Sequence, residues 1–180
     1  RCFCFSLWKF QNILFFAWYE LMLKLFYPAS FLPHKNHSLL SSPLVQQYLS
    51  IQNLKIYLTI SDSDFASAST DFVLLGRIDY ETCMRYMEEC SALLFLSSFE
   101  SLGLPLIEAA QIGKPVICPD LIYARELLGN SPYYFRDNSP DSLCNTLKTF
   151  IRSKDCPYIA RLNKPLYTIA YAWDKLTTSI

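Results

Sequence analysis

Apolar residues in this chain fall in short runs separated by amphipathic stretches, a spacing that predicts strands alternating with helices. Ala92-Leu93-Leu94-Phe95-Leu96 reads as one buried strand and Val116-Ile117-Cys118 as another. Between them runs Glu100-Ser101-Leu102-Gly103-Leu104-Pro105-Leu106-Ile107-Glu108, continuing into Ala109-Ala110-Gln111-Ile112-Gly113-Lys114-Pro115. Pro105 suits the first position of a helix, where a missing N–H costs nothing. Gly113 suits a left-handed stop, and Pro115 bars continuation. Strand, glycine-bearing loop, helix and strand make one βαβ unit, in which ligands sit at the carboxyl ends of the strands against helix N-termini.

The remainder alternates in the same way. Phe26-Tyr27 ends a first strand. Residues 36–50 carry Leu40, Leu44 and Tyr48 at helical spacing, with Pro43 in conflict; either the helix kinks there, or Ser42 caps a helix starting at Pro43. Residues 54–60 alternate like a strand, 61–70 form a polar loop, and 72–75 a short buried strand ending at Gly76. Asp79 then caps a helix with Cys83, Met87 and Cys90 on one face and Glu81, Arg85, Glu88 and Glu89 on the other. Ser139-Pro140-Asp141 starts a further helix, whose Leu143, Leu147, Phe150 and Ile151 fall at i, i+4, i+7 and i+8. No internal repeat is visible. The expected fold is α/β, a single doubly wound domain with a parallel sheet over residues 25–153. A hydrophobic segment, 1–24, precedes it and a helical tail, 154–180, follows.

Composition narrows the function classes. With 180 residues, 52% hydrophobic and 18% charged, the chain can bury one sizeable core. A formal net charge of zero gives no reason to expect nucleic acid, which calls for a basic face. Seven cysteines, an odd number without a C-x-x-C pair, do not form a disulfide framework and point to a reducing cytoplasm. Cys83, Cys90 and Cys118 lie on apolar faces as small hydrophobes. Cys2 and Cys4 with His34 and His37 match no zinc spacing, so no metal site is expected. The stretch 7–26 is rich in Phe, Leu and Trp, but its uncharged part, 10–19, is shorter than the ~20 residues a bilayer span needs. It reads either as an interfacial amphipathic helix, giving peripheral contact at the inner face of a membrane, or as a segment that packs on a missing partner domain.

The chemistry concentrates at the two glutamates. The N–H groups of Leu102, Gly103 and Leu104 are expected to face the loop mouth as a site for an anion. Gly103, without a Cβ, is expected to let a ligand approach the backbone. Glu100 lies in the loop, and Glu108, about one turn into the helix, turns toward the same mouth. Charge complementarity with the helix dipole is the plain structural alternative for Glu108.

The segment 97–110 resembles the E-x7-E motif of retaining glycosyltransferases of the GT-B fold, the group 1 or family 4 type. Tyr27-Pro28-Ala29-Ser30-Phe31-Leu32-Pro33-His34-Lys35-Asn36-His37 resembles the opening of that family's donor-binding half. The stretches Pro119-Asp120-Leu121-Ile122-Tyr123-Ala124-Arg125-Glu126-Leu127-Leu128-Gly129 and Tyr133-Tyr134-Phe135 resemble its later parts. The resemblance spans roughly residues 25–153 and implies one Rossmann-like half of the fold. It implies a nucleotide diphosphate sugar as donor substrate, a glycan or lipid-linked acceptor, and no cofactor. Glu100 and Lys35 are then the catalytic residues, with Glu100 facing the donor sugar and stabilising positive charge near the anomeric carbon. Glu108 is implied to accept from the ribose hydroxyls. Leu102, Gly103, Leu104 and Arg77 complete the donor site. No metal is needed if the amides, the helix dipole and Lys35 hold the diphosphate, and the chain is read as having no Asp-x-Asp triplet to hold one.

Departures from the pattern carry expectations too. Ala29 and Ser30 stand where the family usually has a phosphate-clamping arginine, so that clamp is expected from Arg77. Leu96 replaces a frequent proline and Leu102 a frequent phenylalanine. His34 and His37 are expected as surface or capping residues, and Arg125 with Glu126 as a helix-surface couple. A family member normally carries an acceptor-binding half before the donor half, so the chain reads as a fragment or half an enzyme. Two other readings are a catalytically incomplete half that scaffolds glycan assembly with a partner chain, and a flavodoxin-like regulatory domain. The last would need an acidic cluster at strand ends, whereas Asp62, Asp64 and Asp71 are scattered in a loop.

Overall fold

The computed structural model describes residues 22–65, 69–153 and 158–162. Six strands alternate with helices: β1 Lys24–Tyr27, β2 Lys55–Leu58, β3 Phe72–Leu74, β4 Ala92–Leu94, β5 Val116–Pro119 and β6 Tyr133–Phe135. The helices are α1 Pro43–Gln52, α2 Tyr80–Glu89, α3 Leu104–Gln111, α4 Ile122–Leu128 and α5 Pro140–Arg152. The strands lie in the order β3-β2-β1-β4-β5-β6, and every neighbouring pair is parallel. The fold is therefore the expected doubly wound α/β sheet. The direction of winding reverses between β1 and β4, which places a crevice between the loops that follow them. Because β3 lies outside β2 rather than beyond β1, the flavodoxin-like order is excluded.

Central strands are apolar on both faces, as a sheet covered on both sides requires. Phe26 and its register partner Tyr57 both direct their rings at Tyr86 of α2, at 5.7 Å each. The neighbouring Tyr27 faces the opposite layer, where it meets His37 and Phe95. Leu93, Leu94, Val116, Ile117 and Cys118 are fully buried in the middle of the sheet.

Helix boundaries follow local chemistry. The Asp79 side chain accepts from the Thr82 amide at 2.7 Å, and the Ser139 hydroxyl from the Ser142 amide at 3.3 Å, capping α2 and α5. In α5, Leu143, Leu147 and Phe150 turn inward together. The Pro43 conflict resolves as a break: a separate 3-10 stretch, His37–Ser41, ends before α1, and Ser42 occupies the N-cap position without a side-chain bond. Gly103, at φ +66°, precedes α3, so Leu104 takes the first helical position and Pro105 the second, one place later than expected. Pro105 still falls among the first four residues, whose N–H groups have no helical partner. At the far end Gly113 (φ +68°) donates to Ala110 and Lys114 to Ala109, closing the helix with paired reverse bonds.

One expectation of burial fails at β3. It lies at the sheet edge with β2 as its one strand neighbour, and all three of its residues are half-buried. Most of the expected N-terminal segment and of the helical tail lies outside the described residues; of the former, residues 22–24 are described, and Lys24 already belongs to β1. The described piece of the tail, 158–162, holds no helical turn; Ala160 is buried and its amide donates to the Lys114 carbonyl. Among the described residues no helix is long and apolar enough to cross a membrane.

Candidate donor site at the switch point

The loops after β1 and β4 meet at the switch point. From β1 the chain passes through Pro28–Leu32 into the 3-10 turn Pro33–Lys35, which Asn36 closes in the left-handed region (φ 54°). From β4 it runs through buried Phe95, Leu96 and Ser97 to Glu100 and then to Gly103. Main-chain and side-chain bonds join the two. The Ser98 amide donates to the His34 carbonyl at 2.8 Å. The Tyr27 hydroxyl donates to the Lys35 carbonyl at 2.6 Å and lies 3.2 Å from Ser97 Oγ. The Lys35 ammonium and the Glu100 carboxylate form an ion pair with side chains 18% and 13% exposed. Two residues 65 positions apart in sequence are thus direct partners.

Around α3, Leu104 is 58% exposed and Leu102 half-buried, while Gly103 between them is buried. Among the described residues nothing accepts from the amides of Leu102, Gly103 or Leu104. The reason for a glycine here differs from expectation. A Cβ on Gly103 would lie 3.3 Å from Leu106 Cδ1 and 3.4 Å from Leu127 Cδ1, so it would point at protein rather than at a ligand. The positive φ and the close α3–α4 packing explain this glycine.

A cleft of about 620 Å³, in the size range of small-molecule sites, opens beside the loop after β1, although none of Lys35, Glu100, Leu102, Gly103, Leu104 or Glu108 lines it. Its walls come from Pro28–Phe31 after β1, Thr59–Ser61 and Asp64 after β2, and Arg77–Tyr80 with Cys83 after β3. Arg77 lies in this wall together with Ala29 and Ser30, the positions left empty of the expected arginine. Glu108 reaches the same region from α3. Its carboxyl is raised above the ordinary glutamate range by burial, with a hydrogen bond from Tyr80 pulling the other way. The charge of Glu108 in turn is the main reason the Tyr80 phenol is raised. Burial, followed by the same charge, pushes the Cys83 thiol up to about 11. Tyr80 carries no mark of a site residue in the sequence; its link to Glu108 joins the first residue of α2 to the middle of α3.

Three expectations are corrected here. His37 is neither a surface nor a capping residue: it is 2% exposed, with tilted ring contacts to Tyr27 (4.9 Å) and Phe31 (5.5 Å). Both of its ring nitrogens are buried without a partner among the described residues. Burial, then the charge of Lys35, lowers its pKa to about 4. His34 is exposed and contributes its carbonyl. Arg125 forms its ion pair with Asp120, where the expectation had Glu126. It makes a two-pronged contact with Asp120 at 2.6 and 2.8 Å and lies 3.9 Å above the Tyr134 ring. The chain does contain one Asp-x-Asp triplet, Asp62-Ser63-Asp64. Asp64 there accepts from the Ser61 amide and hydroxyl at 3.2 and 2.6 Å, as a turn-stabilising side chain does.

Comparison with known proteins agrees with this architecture. Residues 22–165 match the family model described as "Glycosyl transferases group 1". Among curated proteins, the serotype-specific mannosyltransferase WbdA of Escherichia coli is 37% identical over 60 residues, 33% of this chain and 7% of the relative. A second match to a protein of that name is 32% identical over 77 residues, 43% of this chain and 9% of the relative. The chain therefore spans less than a tenth of the length of these relatives. Among solved structures, Anabaena HepE in complex with UDP-glucose has a TM-score of 0.61 at 17% identity, covering 82% of this chain and 43% of HepE. The catalytic domain of cholesterol-α-glucosyltransferase from Helicobacter pylori gives 0.60 at 14% identity, covering 73% of this chain and 87% of that domain. At these identities the structures establish a shared fold, one Rossmann-like half of GT-B. The family match covers most of the sequence: the chain belongs to the group 1 glycosyl transferases.

Proposed function

We propose that this chain is the donor-binding half of a retaining glycosyltransferase of the family 4 type, moving a sugar from a nucleotide diphosphate donor to a glycan or lipid-linked acceptor. The observation that carries the reading is the meeting of Lys35 and Glu100 across the switch point; a cleft walled by the loops after β1, β2 and β3 holds Arg77 and Tyr80, the partner of Glu108. In this reading the bond between the anomeric carbon and the phosphate oxygen breaks, and the acceptor hydroxyl adds to that carbon from the face the diphosphate leaves, passing its proton to the departing phosphate oxygen. Negative charge grows on the leaving group, and fixed donors aimed at it lower the barrier most. Lys35, Arg77 and the amides of Gly103 and Leu104 serve that role. Glu100 orients the sugar and offsets positive charge at the anomeric carbon, while Glu108 accepts from the ribose hydroxyls.

Isothermal titration calorimetry with UDP- and GDP-sugars against the native chain and Glu108→Ala tests the ribose role. Loss of two charge-assisted hydrogen bonds predicts roughly tenfold or greater weakening for the variant. Equal binding by both proteins would reject it.

A further inference from the structure

We infer that Tyr27 is a positioning residue whose phenol ties the turn carrying Lys35 to the loop carrying Glu100, and so holds the two charges together. The link rests on geometry alone; its consequence for donor binding rests on the reading above. Tyr27 is the last residue of β1, fully buried, and β1 borders β4 at the switch point. A phenol has one proton to give, and it goes to the Lys35 carbonyl at 2.6 Å. The 3.2 Å contact with Ser97 Oγ therefore has serine as donor and the Tyr27 oxygen as acceptor. Ser97 is itself fixed, since its carbonyl accepts from the Tyr123 hydroxyl. Burial holds the phenol of Tyr27 well above its ordinary range, so it stays a donor at any physiological pH.

The ring and the hydroxyl have separable jobs. Contacts with Phe95 (6.0 Å) and His37 (4.9 Å) fill the layer above the strand, and a phenylalanine would make them equally well. Only the hydroxyl reaches both loops. A buried hydroxyl is costly to desolvate unless it is hydrogen-bonded, and here both of its contacts lead to the loops bearing the ion pair. Without it, the His34–Ser98 main-chain bond remains, but it holds the turn one residue short of Lys35.

The test uses the full chain with isotopically labelled lysine, observing the Lys35 Nζ resonance, assigned by Lys35→Met. In the native background Glu100→Gln shifts this resonance, because the partner charge is gone. In the Tyr27→Phe background the same substitution is expected to produce little shift, and in Ser97→Ala a partial one. A full shift in Tyr27→Phe overturns the proposal. Titration with UDP and GDP supplies the second arm. Tyr27→Phe is expected to weaken nucleotide binding by about tenfold with Lys35 present and not at all in Lys35→Met, since one hydrogen bond is worth up to that factor. Equal weakening in both backgrounds also overturns it. If the native chain binds neither nucleotide, the donor-site reading falls, and the lysine resonance still decides the role of Tyr27.

Discussion

Lys35 and Glu100, 65 residues apart in sequence, form an ion pair across the point where the sheet reverses its winding. Neither loop could hold its charge there alone; the parallel pairing of β1 with β4, through Leu25 with Ala92 and Phe26 with Leu93, brings the two loops side by side. Both side chains are mostly shielded, so removing one leaves the other with an uncompensated, partly desolvated charge. Glu100→Gln and Lys35→Met are each expected to destabilise by about 1–2 kcal/mol, less than a fully buried pair because water still reaches them. The double variant should cost less than the sum, which a double-mutant cycle in urea measures.

His37 makes stability depend on pH. Its pKa falls from 6.5 in the unfolded chain to about 4 in the folded one, so between these values the unfolded state binds more protons. The stabilisation is complete above pH 6.5 and is lost as the pH falls toward 4, by about 3 kcal/mol in all. Urea midpoints across this window should decline for the native chain and stay flatter in His37→Phe. Parallel declines would contradict the assignment.

Gly103→Ala would place a Cβ 3.3 Å from Leu106 Cδ1 at a φ of +66°. The left-handed backbone alone costs about 1 kcal/mol, and crowding against the Leu106 side chain adds to it. A loss of about 1–2 kcal/mol is expected by chemical denaturation. A neutral or stabilising effect would mean that the elbow relaxes freely.

Lys114, just past α3, donates to the carbonyls of Glu88 and Cys90 at 2.7 Å each, closing the C-terminal end of α2. Lys114→Met keeps the aliphatic stem and removes both bonds and the charge that favours a helix C-terminus. It should lower stability by about 1 kcal/mol, seen as a lower melting temperature.

The fold was largely legible because its signals are local. Asp79 and Ser139 announce their helices by side-chain chemistry, Gly113 and Pro115 end one, and the runs at 92–96 and 116–118 are too apolar to lie anywhere but the centre of a sheet. Three residues at 72–74 are equally apolar, yet a short run carries no mark of being at an edge. Lys35 and Glu100 were legible through motif resemblance, while their pairing depends on strand order, which a linear pattern does not encode. His37 sits among polar neighbours and looks exposed; its burial comes from Tyr27 and Phe31, packed from one strand and one loop. Tyr80 beside Glu108 and Arg125 with Asp120 are contacts between separate elements or across a strand end. Helical spacing within one segment cannot disclose them.

The most direct measurement is amide NMR of the labelled chain titrated with UDP and GDP. A nucleotide diphosphate seated at the switch point should move the amide signals of Gly103 and Leu104 first and most, together with Lys35 and the cleft residues Arg77 and Tyr80. Saturable binding that leaves the 102–104 amides unmoved, or no response to either nucleotide, would contradict a donor site built on this elbow.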